Sequence, residues 1–161
     1  MRKIVVLYDT QTSNTEKMAK AVVEGASKVK DVEVELLKVG TRFDICIINL
    51  ADAIILGSPT HYGNVTSEMR ALLQSLGDLK KSNKLKLSGK MGAAFGSYGW
   101  DGGWVVDSLE ANMNTLGIKI VAPSVSMTEN MGGIGAQINE KSLQQCRELG
   151  KSVAEKVAAI T

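Results

Sequence analysis

Apolar and polar positions follow two rhythms along the chain. Three short continuous apolar runs, at 4–7, 53–56 and 91–95, have the character of parallel strands buried on both faces, since such strands are covered by helices on either side. These are expected at the centre of a sheet. Two other stretches, 32–36 and 118–121, mix apolar with charged residues, as strands at a sheet edge do. Between them apolar residues recur at helical spacing: Met18, Val22, Ala26 and Val29; Met69, Leu72, Leu73 and Leu76; Trp104, Val105, Leu109, Met113 and Leu116; Leu143, Cys146, Leu149, Val153 and Val157. Gly77 and Gly117 are read as left-handed caps just past the second and third of these helices. A short helix or turn over 43–50 leads into the third strand. Five strands alternating with helices imply an α/β fold, a doubly wound five-stranded parallel sheet with helices on both faces. With strands two and five at the edges, the order is 2-1-3-4-5. One domain over 1–161 is expected, because no repeat, linker or low-complexity tract interrupts the pattern.

Composition narrows the function. The 161 residues are 44% hydrophobic, and 19 Lys and Arg against 17 Asp and Glu leave a formal charge of +2. That balance, with no basic run longer than Lys80-Lys81, does not suit a dedicated nucleic-acid binder. A single histidine, His61, and two distant cysteines, Cys46 and Cys146, offer no metal cluster. The cysteines and Met18, Met69 and Met113 read as buried core residues. Without an apolar leader or a span of about 18 apolar residues, neither secretion nor a membrane segment is indicated, and the reducing cytoplasm is expected.

The chemistry gathers in three loops. In sheets of this type, ligands bind beyond the carboxyl ends of the strands where the winding reverses, here between strands one and three. After strand one, Thr10, Gln11, Thr12, Ser13, Asn14 and Thr15 lead straight into a helix. Hydroxyls beside free N–H groups and the positive end of a helix dipole suit a phosphate dianion. The competing local reading is a capping box, Ser13 as N-cap with Glu16 reaching back to it. A triphosphate P-loop is excluded, because its Gly-Lys-Ser/Thr ending is missing. After strand three come Gly57, Ser58, Pro59, Thr60, His61, Tyr62, Gly63 and Asn64; after strand four, Gly96 to Gly103 with Tyr98 and Trp100. Glycine interleaved with aromatics in both loops points to backbone close to a flat aromatic ligand. A phosphorylation-receiver reading fails, because strand three ends in Gly57-Ser58-Pro59 and not in aspartate.

Across essentially its whole length the chain resembles a flavodoxin-fold FMN protein, a family that is itself a standard instance of the strand-end rule. The segment 92–100 is similar to the flavodoxin domain of A-type flavoproteins (flavodiiron proteins), and the 57–64 loop resembles that of WrbA-type NAD(P)H:quinone reductases. The first loop is similar to the flavodoxin phosphate signature, which usually carries glycine where this chain has Ser13. The resemblance implies FMN as cofactor. Thr10, Thr12, Ser13, Asn14 and Thr15 would hold its phosphate, and Ser58, Pro59 and Thr60 would support the ribityl chain. Tyr62, with Tyr98 or Trp100, would flank the ring; the Gly63 carbonyl could turn toward flavin N5; and Ser97, Tyr98 and Gly99 would offer backbone donors to the pyrimidine end. Gln11, His61, Asn64, Gly102 and Gly103 complete the expected cofactor-binding set, with no catalytic residue and no metal. The implied function is electron transport between soluble redox proteins, more a carrier than a catalyst with its own substrate; the alternative is an NAD(P)H:quinone or flavin oxidoreductase. The metal domain of complete flavodiiron proteins has no counterpart here. A homo-oligomer is left open, and 123–137 reads as an irregular continuation of the last strand. The charge of +2 predicts a less negative potential than in acidic flavodoxins, or a partner whose docking face is not strongly basic.

Overall fold

The computed structural model describes residues 1–11, 13–99, 103–128 and 140–160. Its elements run β1 (Arg2–Tyr8), α1 (Asn14–Ser27), β2 (Val32–Lys38), α2 (Cys46–Leu50), β3 (Ala53–Pro59), α3 (Ser67–Lys81), β4 (Met91–Tyr98), α4 (Val105–Thr115), β5 (Lys119–Ile120), β6 (Val125–Thr128) and α5 (Glu140–Ala158). The strands pair in parallel in the order β2-β1-β3-β4-β5, and β6 also pairs with β4. The continuous apolar runs are central and buried apart from half-buried Met91 at the start of β4, while β2 mixes half-buried and exposed positions at the edge. The side-chain pattern therefore fixed the order as expected.

Two expectations about the chain's path need correction. The fifth strand is broken into two pieces: β4 pairs Gly92 with Ile120 but Phe95 with Val125. Four residues on the edge oppose two on β4, and Pro123, which has no N–H to give, lies in that insertion. Part of the segment read as irregular, 125–128, is thus regular strand; the rest, from 129 to 137, lies outside the described residues. Gly77 is not a cap either. Helix α3 continues past it to Lys81, because Leu76 and the partly buried Leu79 still face the core. Gly117 does hold the expected left-handed position, at φ 87°, just past the C-cap Leu116.

Two apolar layers cover the sheet. On one face α1 and α5 pack over Ile4, Val6, Ile55 and Phe95; on the other α2, α3 and α4 cover Val5, Leu7, Ile54 and Leu56. Each fully buried aliphatic side chain contributes about 1.5–3 kcal/mol. Helices α1 and α5 approach most closely where Gly25 and Gly150 face each other's backbones: a Cβ on Gly25 would lie 1.9 Å from the Arg147 carbonyl oxygen, and one on Gly150 2.0 Å from that of Val22. Arg147 ties the crossing on its outer side, reaching Glu24 at 3.2 Å and Glu140 at 2.7 Å. Met18, Met69 and Met113 are buried as expected. Cys146 is buried, and its apolar surroundings push the thiol up to about 12. Cys46, expected to be buried, is exposed. It opens the five-residue α2, which buries only Ile48.

Candidate functional site

The carboxyl ends of β1, β3 and β4 are tied into one polar layer. The Asp9 amide donates to the Gly57 carbonyl at 3.0 Å, joining the β1 and β3 ends. Thr60 donates both its N–H and its hydroxyl to the Ser97 carbonyl, each at 2.9 Å, joining β3 to β4. The hydroxyls of Thr15 and Ser97 lie 3.0 Å apart, which brings the α1 N-terminus to the end of β4. Asp9, Asn14, Thr15, Ser58 and Ser97 are all buried. Such a cluster is stable only when its groups are mutually satisfied, and Ser58 shows how: its hydroxyl donates to the Pro59 carbonyl and accepts from the Thr66 amide.

Where β1 meets α1 the bonding is incomplete. Ser13, the N-cap, makes no side-chain cap and stands in the left-handed region at φ 68°. Glu16 does not close a capping box: its carboxylate accepts the Tyr8 hydroxyl at 2.9 Å. Burial, then this bond and the carboxylate charge, push the Tyr8 phenol up to about 12. Thr10 gives its amide to the Asp9 carboxylate, yet its hydroxyl is buried with no hydrogen-bond partner. A buried donor without a partner costs about 1–3 kcal/mol. An uncapped helix N-terminus beside an orphaned hydroxyl fits a phosphate group, which would satisfy both. Thr12 of this loop lies outside the described residues.

The loop after β3 forms a tight hairpin. His61 and Asn64 exchange both backbone hydrogen bonds, at 2.7 and 3.1 Å, and the two residues between them, Tyr62 and Gly63, have φ of 50° and 79°. Two-residue turns with positive φ at both central positions match the strand twist but suit glycine and asparagine, not tyrosine. Tyr62 nonetheless holds this conformation, 95% exposed, with the His61 ring 4.6 Å from its own. Asn64 anchors the hairpin, its side-chain oxygen accepting from the Val65 amide at 2.8 Å and the Ser108 hydroxyl at 3.1 Å. The Gly63 carbonyl belongs to the peptide whose N–H, on Asn64, makes the second of the hairpin bonds, so turning it would break that bond.

After β4, Tyr98 and Gly99 are half-buried, and buried Gly103 packs on the Tyr98 ring, which a Cβ there would meet at 2.9 Å. Trp100 and Gly102 lie outside the described residues. Two contributors escaped the sequence reading. Thr66 caps α3, accepting from the Met69 amide at 3.2 Å; a Thr three residues before an apolar helical position was the available signal. Trp104, counted there as a core position of its helix, is 64% exposed at the α4 N-terminus; helical periodicity does not show that the core-facing stripe begins one residue later.

A parallel sheet with this polar layer and cradle at its winding reversal defines the class of doubly wound proteins that hold a phosphate-bearing ligand at the strand ends. The chain belongs to the flavodoxin family, whose model, described as Flavodoxin, matches residues 6–150. It is 34% identical over 170 residues to a flavodoxin of Aquifex aeolicus (strain VF5), covering 98% of this chain and 88% of that one. It is 33% identical to a nitric oxide reductase of Moorella thermoacetica, over 97% of this chain but only 36% of that protein. Among solved structures, a flavodoxin from the domain Archaea matches with a TM-score of 0.81 and 30% identity, covering 97% of this chain and 99% of that one. Members of the family bind FMN, and this chain is an FMN electron-transfer protein. No helix of the described residues is long and apolar enough to cross a membrane.

Proposed function

We propose that the protein is a flavodoxin-type carrier that moves electrons between soluble redox partners, acting as one domain in the cytoplasm. FMN supplies a ring that accepts and releases one or two electrons. Thr10, Gln11, Thr12, Ser13, Asn14 and Thr15 bind its phosphate; Ser58, Pro59 and Thr60 line the ribityl chain; His61, Tyr62, Gly63 and Asn64 together with Ser97, Tyr98, Gly99, Trp100, Gly102 and Gly103 surround the ring. The Asp9–Gly57 and Thr60–Ser97 bonds hold the three strand ends together, and the Thr15–Ser97 contact fixes the α1 N-terminus against them, so the cradle is set before the cofactor arrives.

The observation that carries this reading is the exposure of Tyr62 at the tip of a strained, doubly hydrogen-bonded turn. An aromatic held there would be placed to cover the edge of a bound ring and to meet an approaching partner. The second reading, an NAD(P)H:quinone oxidoreductase, is supported by the WrbA-like 57–64 loop, with exposed His61 beside the same tyrosine. Reconstitution with FMN and anaerobic titration with NADPH, NADH and dithionite separates them. Reduction by dithionite without nicotinamide reactivity favours the carrier. Rapid reduction by a nicotinamide with turnover on a quinone favours the reductase, and failure to bind FMN overturns both.

A further inference from the structure

A groove of about 850 Å³ runs between α3 and α4. Both helices start at the cofactor end of the sheet and run back antiparallel to the strands, so the groove leads away from the site along the roughly 22 Å length of α3. Its upper end is the Asn64–Ser108 junction. Tyr62 lies in the same turn as Asn64, and Trp104 stands one helical turn before Ser108, its carbonyl accepting the Ser108 amide. The two large exposed aromatics of the site, 95% and 64% exposed, thus flank the mouth of the groove.

The groove is amphipathic and its charge is one-sided. Val65, Leu73 and Leu116 give it apolar ground. The α4 wall, with Ser108, Asn112 and Thr115, carries no charge, whereas the α3 wall carries Arg70, Lys80 and Lys81 against Asp78 alone. Lys80 is occupied in donating to the Leu116 carbonyl at 2.8 Å, where it caps α4. Arg70 and Lys81 are exposed, and neither forms an ion pair among the described residues.

We propose that this groove docks an acidic, partly apolar surface segment of an electron-transfer partner, which places that partner's redox centre against the Tyr62–Trp104 edge. The proposal rests on the carrier reading above. Charge complementarity selects the occupant: two unpaired cations, one at each end of an apolar trough, match carboxylates spaced along a helix or extended segment. Aromatics at the mouth supply the anchors on which such interfaces depend. A second copy of this chain is the competing occupant, since Glu33, Glu35 and Asp44 surround apolar Ile47 and Leu50 beside β2. That contact would be heterologous and would not close on itself as a dimer.

The test uses the FMN-loaded protein, with decaglutamate as probe and decalysine as counter-probe, followed by amide chemical shifts. Decaglutamate is expected to shift amides of 70–81 and 108–116, decalysine to leave them unmoved, and R70E/K81E to weaken decaglutamate at least tenfold. K84E/K86E makes the same change of charge outside the groove and is expected to weaken it less than threefold. Equal losses in the two variants, or shifts centred on 84–90, overturn the proposal. So does self-association by sedimentation that R70E/K81E abolishes, which would give the groove to a second copy. The FMN absorption spectrum of each variant keeps a failed docking distinct from a failed cofactor assignment.

Discussion

Ser13 stands where the family usually places glycine, and its backbone shows the reason for that preference. A φ of 68° costs an L-residue about 1–2 kcal/mol. Replacing Ser13 by glycine removes that strain but adds about 0.5–1 kcal/mol of unfolded-chain entropy, so Ser13→Gly is expected to stabilise the apoprotein by about 0.5–1 kcal/mol. With an unfolding entropy of roughly 0.3 kcal/mol per kelvin for a chain of this size, Tm rises by about 1.5–3 °C. Ser13→Ala keeps the strain, and because the serine makes no side-chain cap it loses no bond, so its apoprotein Tm should match wild type. FMN affinity separates the two roles. If the hydroxyl reaches the phosphate, both variants lose a charge-assisted hydrogen bond of about 1.5–3 kcal/mol, a ten- to hundredfold weaker Kd. The checks are scanning calorimetry of the apoprotein and fluorescence titration with FMN. A lower Tm for Ser13→Gly refutes the strain argument; wild-type affinity in Ser13→Ala refutes the contact.

Three further outcomes are expected. Gly150→Ala drives a Cβ to 2.0 Å from the Val22 carbonyl oxygen, which backbone cannot rotate away from; overpacking outweighs the gain of about 1 kcal/mol in helix propensity, and urea unfolding should show a net loss of about 2 kcal/mol. The Tyr8 phenol, raised from 10.0 to about 12, holds its proton more tightly when folded. Its stabilisation is complete below pH 10 and is lost as pH rises through 12, so wild type should lose about 2–3 kcal/mol over that window that Tyr8→Phe does not lose. Native protein should react with one equivalent of a thiol reagent, at exposed Cys46, and a second only on unfolding, because Cys146 is buried and its thiol pushed up to about 12; two fast equivalents would contradict the packing of α5.

What the sequence made legible was whatever periodicity and strand-end position determine. The runs at 4–7, 53–56 and 91–95 became β1, β3 and β4 because continuous burial leaves only central strands as their place. The three loops met because the winding reversal puts them there. What escaped depends on packing and pairing between elements. Whether Ser13 and Glu16 cap their own helix was undecidable locally; Tyr8, on the neighbouring strand, takes the carboxylate instead. Gly77 looks like a stop signal until Leu79 is found facing the core. The break in the fifth strand follows from a register against β4 that no local pattern carries.

The charge of +2 is a whole-chain count and carries no information on position. Between 79 and 91 the chain has five lysines, at 80, 81, 84, 86 and 90, and no acid. This segment enters β4 from its amino end: the Lys86 amide donates to Asn49, and the Lys90 ammonium to the Asn49 and Ala51 carbonyls ahead of β3. A seven-residue strand is about 23 Å long, nearly three Debye lengths at physiological salt, so these lysines scarcely reach the cofactor end. There the described charges are of both signs: Asp9, Glu16, Glu68 and Asp107 stand with Lys17, with Lys38 at the end of β2 and with Arg70 in the first turn of α3. The potential at the site follows the placement of these individual charges and not the whole-chain sum. Lys84→Glu/Lys86→Glu should leave the FMN midpoint potential within about 10 mV of wild type at physiological salt. Asp9→Asn, which removes a buried carboxylate from the cradle itself, should raise it by tens of millivolts, since one charge about 10 Å away at an effective dielectric near 20 is worth roughly 70 mV per electron before screening. Spectroelectrochemistry on the three proteins decides the matter: a larger shift in the double lysine variant than in Asp9→Asn would show that net charge, and not its placement, sets the potential.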